Sequence, residues 1–290
     1  MRPSTCLLLT TLLSALAPQA MAEILPEAQV GIKIPLAKKP TTRPMTVAYV
    51  PTFKNYYIAD GGLAPMGSEH EAPTSKSEIH AYTADGKYIN SAKPGYDNRS
   101  IYFNPITNHL ETVTYNISSA VGFSPNSGIY GIDIAENGEI KNSSIEVMQF
   151  NPAFGHEQTM PSFDANSGNY YAKQARSNKV WVVDPKSREK LSEIALDFTK
   201  ASVAHDDVSD YFVAYTGVSG EEFLLLNVDH KAVLAFNLKG EYIGKSALPA
   251  ELKMRSQNHF NGLGYANQML FVYHETDGEF GTYYGFKVQK

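Results

Sequence analysis

Alternating apolar and polar residues, the pattern of a half-buried strand, recur along the whole chain. The pattern stands in Ile79-His80-Ala81-Tyr82 ahead of Asp85-Gly86, and in Gly131-Ile132-Asp133-Ile134 ahead of Asn137-Gly138. It returns in Val180-Trp181-Val182-Val183 ahead of Asp184-Pro185, and in Val233-Leu234-Ala235-Phe236 ahead of Lys239-Gly240. A fifth copy is Tyr283-Tyr284-Gly285-Phe286-Lys287-Val288. Anchored on Tyr82, Ile134, Val183, Phe236 and Phe286, the copies follow one another at 52, 49, 53 and 50 residues. Asp-Gly and Asn-Gly suit the turns because tight hairpins need positive φ, which Gly and Asn tolerate best.

Another strand of aromatic and β-branched residues precedes each copy: Tyr56–Ala59, Leu110–Tyr115, Tyr170–Lys173, Tyr211–Tyr215 and Met269–Tyr273. Polar turns such as Asp164–Asn169 and Asn104–Asn108 lead into these strands, and shorter strands such as Ser100-Ile101-Tyr102-Phe103 lie before the turns. Each unit therefore predicts up to four antiparallel strands, one propeller blade. The expected fold is all-β, a β-propeller of five or six four-stranded blades, the number resting on an ambiguous stretch between Tyr211 and Leu238. The last blade has no fourth strand of its own. Val30-Gly31-Ile32-Lys33-Ile34 alternates as an edge strand should, and pairing it with the last blade would close the ring and cover an exposed edge. Leu191, Ile194, Ala195 and Phe198 fall at helical spacing, but repeat phase makes Lys190 to Leu196 an outer strand, and phase is preferred. Pro249 to Met254 has the composition of a single helical turn.

The start of the chain reads as an address. Arg2 precedes the apolar run Leu7–Ala17, and Ala20-Met21-Ala22 supplies small residues at a cleavage position, the pattern of a Sec-type signal peptide. The expected division is 1–22 signal peptide, 23–44 an N-terminal segment with the closing edge strand, and 45–290 the propeller. The destination is periplasmic or extracellular. The one cysteine, Cys6, leaves with the signal, so disulfides, thiol nucleophiles and thiolate metal sites are excluded from the mature domain. No later stretch is apolar and long enough to span a bilayer. With 25 Lys and Arg against 30 Asp and Glu, no nucleic-acid surface is expected.

Two segments resemble known families. Ser162-Phe163-Asp164, then Asn169-Tyr170-Tyr171-Ala172, then Asn178–Asp184 resembles one blade of the YncE and NHL-type propellers, which repeat an aspartate, a hairpin turn and two apolar strands. Asn261-Gly262-Leu263 followed by Leu270-Phe271-Val272 resembles a blade of the gluconolactonase-like and strictosidine-synthase-like propellers. That second resemblance implies a metal held by Glu, Asn and Asp from several blades, and the motif picks out no early-blade Glu in this chain for it.

Propellers bind ligands where strand ends converge on the channel. Repeat phase places Arg99, Thr159, Lys200 and His259 just ahead of the strands taken as inner, with His156, Glu157, Gln158 and Asn261 nearby. Guanidinium, imidazole and carboxylate converging there would make an anion or carbonyl site, so Arg99, His156, Glu157, His259 and Asn261 are the ligand-binding candidates. His205 and Asp206 are weaker candidates for a divalent metal, because by repeat phase His205 falls in a hairpin turn. Asp164–Gly168 reads as a turn, since Ala175 stands where a calcium loop needs its bidentate acid. His156-Glu157 opens like a zinc-protease motif, but Met160 occupies the second histidine's place. The tyrosine clusters read as blade packing.

The functional expectation is an exported propeller that binds a small molecule or a protein partner over the channel mouth. The alternative is a metal-assisted hydrolase of the lactonase or esterase type, with a divalent metal as its cofactor. A weaker third reading is a carbohydrate-active propeller with paired carboxylates.

Overall fold

The computed structural model describes residues 23–37, 43–61, 78–94, 98–114, 128–149, 154–155, 159–254, 263–276 and 280–290. Strand β1 (Ile24–Pro35) comes first. An antiparallel sheet then forms from β2 (Arg43–Val50), β3 (Asn55–Gly61), β4 (Glu78–Tyr82) and β5 (Tyr88–Ala92), in that order. The second contains β6 (Asn98–Asn104), β7 (His109–Thr114), β8 (Gly128–Ile134) and β9 (Ile140–Gln149), and the third β10 (Ser162–Phe163), β11 (Tyr170–Lys173), β12 (Lys179–Asp184) and β13 (Glu189–Ala195). Strands β14 (Ala214–Tyr215), β15 (Phe223–Asn227), β16 (Ala232–Phe236) and β17 (Tyr242–Ala247) follow, and β18 (Gly264–Ala266), β19 (Met269–His274) and β20 (Thr282–Gln289) end the chain.

The first strand closes the last group. It runs antiparallel to β20, with Val30 opposite Phe286, Ile32 opposite Gly285 and Ile34 opposite Tyr283 and a bulge between the first two, so it pairs with the last group as the sequence suggests. One parallel pair, Glu27 with Ala247, also ties it to β17 and merges the last seven strands with β1 into an eight-stranded sheet.

The opening strands of the successive meanders meet in a closed cycle. β2 packs on β6, β6 on β10, β10 on β14, β14 on β18, and β18 returns to β2. Successive antiparallel meanders around such a cycle make a β-propeller. Hydroxyls stitch the cycle: the Ile101 N–H donates to Thr46 Oγ1 at 2.7 Å, Ser100 Oγ to the Pro161 carbonyl at 2.7 Å, and Ser162 Oγ to the Val213 carbonyl.

Burial follows position within each meander. Phe223–Asn227 and Ala232–Phe236 are buried throughout, because neighbouring sheets cover both faces. Tyr57, Ala59, Ile79 and Ala81 pack with Ile101, Leu110 and Ile132 of the next sheet. Tyr56, Ile58 and Tyr82, on the other face, pack with Ile34, Phe271 and Tyr283. By contrast, the outer strand Glu189–Ala195 is almost wholly exposed.

Three sequence expectations need correcting. Tyr211–Tyr215 is not the second strand of its unit: β14 is the opening strand, and the unbroken apolar run Phe223–Leu226 is the doubly covered second strand. Phe212 instead bridges in parallel to Met160 of the neighbouring meander. Lys200 does not precede an inner strand. It lies in a four-residue helix, α1 (Phe198–Ala201), capped by Asp197 and packed on β17. His205 is not in a hairpin turn but in a 3-10 turn, His205–Asp207. The helical spacing at Leu191 gives way to strand β13, as phase requires, and Pro249–Leu252 closes as a single hydrogen-bonded turn. Among the described residues, no helix is long and apolar enough to cross a membrane.

Candidate functional site

Every opening strand brings an aromatic ring to the end of the channel where those strands finish: Tyr49, Tyr102, Phe163, Tyr215 and Tyr265. The rings are half-buried, whereas Tyr56, Tyr57, Tyr82 and Tyr170, deeper in the sheets, are fully buried. Together with Phe103, prolines 51, 105 and 161, and the smaller side chains beneath them, they line a cavity of about 590 Å³. That size suits a small ligand. Tyr102 and Phe163 stack across adjacent meanders with centroids 5.1 Å apart and planes at 26°. At the rim, Asn267 and Gln268 form a two-residue hairpin with φ of 50° and 60°, the conformation of a type I′ turn, and Asn267 Nδ2 donates to Tyr56 Oη at 2.7 Å.

None of the described lining residues is charged. Carboxylates lie just behind the rings and are occupied there. Glu111, buried, accepts from Tyr102 Oη at 2.9 Å, Thr107 Oγ1 at 2.7 Å and Asn104 Nδ2 at 3.1 Å. Asp164, also buried, accepts from the Asn166 N–H at 2.9 Å, Ser167 Oγ at 2.7 Å and Tyr171 Oη at 3.4 Å, so it builds its turn. Burial raises three of the lining phenols, Tyr102, Tyr215 and Tyr265. It pushes Tyr265 up to about 12, with the Glu221 charge adding to the effect. Tyr215 is raised by burial and then by Asp164, and Tyr102 by burial, then by Tyr170 and Glu111. The cavity therefore presents neutral rings, hydroxyls and amides at ordinary pH.

Few of the residues singled out in the sequence fall where the structure describes them. Arg99 lies near the start of β6, and its side chain falls outside the described residues, as do His156, Glu157, His259 and Asn261. Thr159 is buried just before β10, with Oγ1 3.4 Å from the Lys173 carbonyl. His205 Nε2 lies 3.4 Å from Asp206 Oδ1 on an exposed turn, where Asp207 accepts from the Ala204 N–H at 2.7 Å. Among the described residues, the grouping of His, Asp and Glu that could hold a metal ion is instead Asp60, Glu78 and His80, whose ligand atoms lie within 4.8 Å of one another. The aromatic mouth did leave a trace in the sequence, one ring near the end of each opening strand. That trace was hidden among core tyrosines of the same composition.

No protein-family model matches the chain, and no curated protein matches it. Solved structures do resemble it. The tail fibre of Staphylococcus aureus phage P68 is similar over 90% of this chain and 52% of that one, at 10% identity and a TM-score of 0.50. The chain thus spans about half of the phage protein. The β-propeller domain of Myceliophteria thermophila Cps50 (Swd1) is similar over 81% of this chain and 70% of that one, at 11% identity and a TM-score of 0.37. The Pseudomonas aeruginosa periplasmic gluconolactonase PpgL is similar over 85% of this chain and 72% of that one, at 10% identity and a TM-score of 0.38. The likeness is one of fold.

Proposed function

We propose that the chain is an exported, five-bladed propeller, with blades of the YncE and NHL kind, that binds a neutral small molecule in its aromatic mouth. The observation that carries this reading is the uncharged cavity of about 590 Å³ lined by a ring from every opening strand. Tyr and Phe faces offer broad apolar area at little conformational cost, and their hydroxyl edges can orient a polar ligand. A ligand with flat or ring-shaped apolar faces and peripheral hydroxyls, such as a saccharide unit, meets both demands. The Asn267 and Gln268 amides at the rim supply donors and acceptors for those hydroxyls. A lactonase-type hydrolase would need metal ligands facing the substrate and a glycosidase would need paired carboxylates there, and the described lining offers neither.

Calorimetric titration with a panel of neutral and anionic saccharides tests the reading. Neutral members should bind with an affinity that hardly changes between low and high salt, since no charge faces the ligand. Tyr49→Ala and Tyr215→Ala should each weaken that binding at least tenfold. A preference for anionic members, a steep salt dependence, or binding unaffected by both variants would overturn it.

A further inference from the structure

At the other end of the first meander, the antiparallel register brings three metal-ligating side chains together. Asp60 of β3 stands opposite Glu78 of β4, and His80 lies two residues further along β4. Because side chains alternate along a strand, all three project from one face of the sheet. His80 Nε2 lies 3.7 Å from Asp60 Oδ2, and the ligand atoms of the three residues lie within 4.8 Å of one another. A tetrahedral ion bound at about 2.1 Å holds its ligand atoms roughly 3.4 Å apart, so small side-chain adjustments would bring these onto one centre.

The imidazole carries the second observation. His80 is 1% exposed, and its Nδ1 lies 2.7 Å from Ser91 Oγ, which in turn lies 3.0 Å from Tyr88 Oη. Nδ1–H donating to the serine leaves a lone pair on Nε2. This is how a metal-binding histidine is held by its outer partner. Nε2 has no hydrogen-bond partner, though it is buried and aimed at the carboxylates. The 3.7 Å separation from Asp60 is too long for a hydrogen bond, and a cation between the Nε2 lone pair and the carboxylate would be attracted by both. Asp60 and Glu78 stand directly opposite each other across the strands, two carboxylates that one cation can share.

We propose that Asp60, Glu78 and His80 bind one divalent transition-metal ion of the zinc class. One imidazole nitrogen with two carboxylate oxygens suits zinc, whereas calcium and magnesium take oxygen ligands throughout. Two carboxylates and a neutral imidazole balance the ion's charge. Glu78 is half-buried, which gives the ion a way in. Among the described residues the ion has three protein ligands, the number a zinc site with an exchangeable fourth position uses. The site stands apart from the aromatic mouth and does not depend on the ligand proposed for it.

The test uses the full mature chain without a polyhistidine tag, stripped with chelator and titrated calorimetrically with zinc, manganese and calcium. One zinc ion should bind per chain, confirmed by elemental analysis. Glu78→Gln and His80→Ala should weaken binding at least a hundredfold, and Ser91→Ala by about 10- to 100-fold through the imidazole it orients. Circular dichroism shows whether each variant folds, and wild-type stoichiometry stands whether or not they do. Absence of stoichiometric zinc uptake, calcium binding of equal strength, undiminished affinity in folded Glu78→Gln, or an imidazole NMR spectrum showing a proton on Nε2 after zinc is added would overturn the proposal.

Discussion

Val30 in the first described strand stands opposite Phe286 in the last, so these two strands share one sheet. Ile34, two strand positions on from Ile32, is fully buried between Tyr56, Phe271 and Tyr283 in the same cluster. Closure therefore draws on apolar burial as well as backbone hydrogen bonds. Ile34→Ala should lower unfolding free energy by about 2–5 kcal/mol. Removing residues 23–35 should bare the edge of β20 and promote self-association. Denaturant titration and size-exclusion chromatography read the two effects. An unchanged midpoint and a monodisperse truncated protein would show that the N-terminal strand is dispensable.

The phenol of Tyr102 joins the mouth to the carboxylate behind it, donating to Glu111 at 2.9 Å. Tyr102→Phe keeps the ring in the cavity and removes one donor from a buried charge. That should cost about 1–3 kcal/mol while leaving ligand binding nearly intact, because the ring face remains. Thermal melts and ligand titration of the same variant separate the two quantities. Loss of binding without loss of stability would show that the hydroxyl itself recognises the ligand.

Two hairpin glycines with nearly the same backbone angle should respond differently to alanine. Gly168 has φ of 77° and open space around a would-be Cβ, so Gly168→Ala should cost about 1 kcal/mol for the left-handed conformation alone. Gly240 has φ of 83°, and a Cβ there would come within 2.0 Å of the Ala195 carbonyl oxygen. Gly240→Ala should cost about 3 kcal/mol or more, since strain and a backbone clash add. Chemical denaturation of the pair checks the difference.

Stability should rise and then fall on the alkaline side. Burial pushes Lys173 down to about 8, partly offset by Asp210, from an ordinary value of 10.5. Between those values the unfolded chain holds the extra proton, so folding is increasingly favoured as pH rises through this range. Tyr57 and Tyr82 behave oppositely: burial pushes both up to about 12, so their contribution is intact below pH 10 and is lost as the unfolded phenols ionise above it. Denaturant midpoints should therefore peak at about pH 9–10, and Lys173→Met should flatten the rise while leaving the alkaline fall. A wild-type profile flat from pH 7.5 to 10 would show that Lys173 does not lose its proton more readily in the fold.

The sequence by itself determined the strands and their rhythm. Alternation, Gly-containing turns and even spacing are local, and each is imposed by backbone geometry within a few residues, so Tyr82, Ile134, Val183, Phe236 and Phe286 all fall in third strands. The edge pattern of Val30–Ile34 was equally local, and its partner followed from the missing rim of the last blade. Tertiary structure decided which strands face the channel. Phe223–Leu226 and Tyr211–Tyr215 are both apolar, and only coverage by neighbouring sheets distinguishes the doubly buried strand from the opening one. It also decided which tyrosines are core and which line the mouth, since Tyr56 and Tyr49 differ in what lies beyond the ring and not in local pattern. The grouping of Asp60, Glu78 and His80 arises from register across a hairpin whose strands are separated by a long connection. Cross-strand register is fixed by packing on both faces of a sheet, a physical constraint that no short stretch of sequence contains.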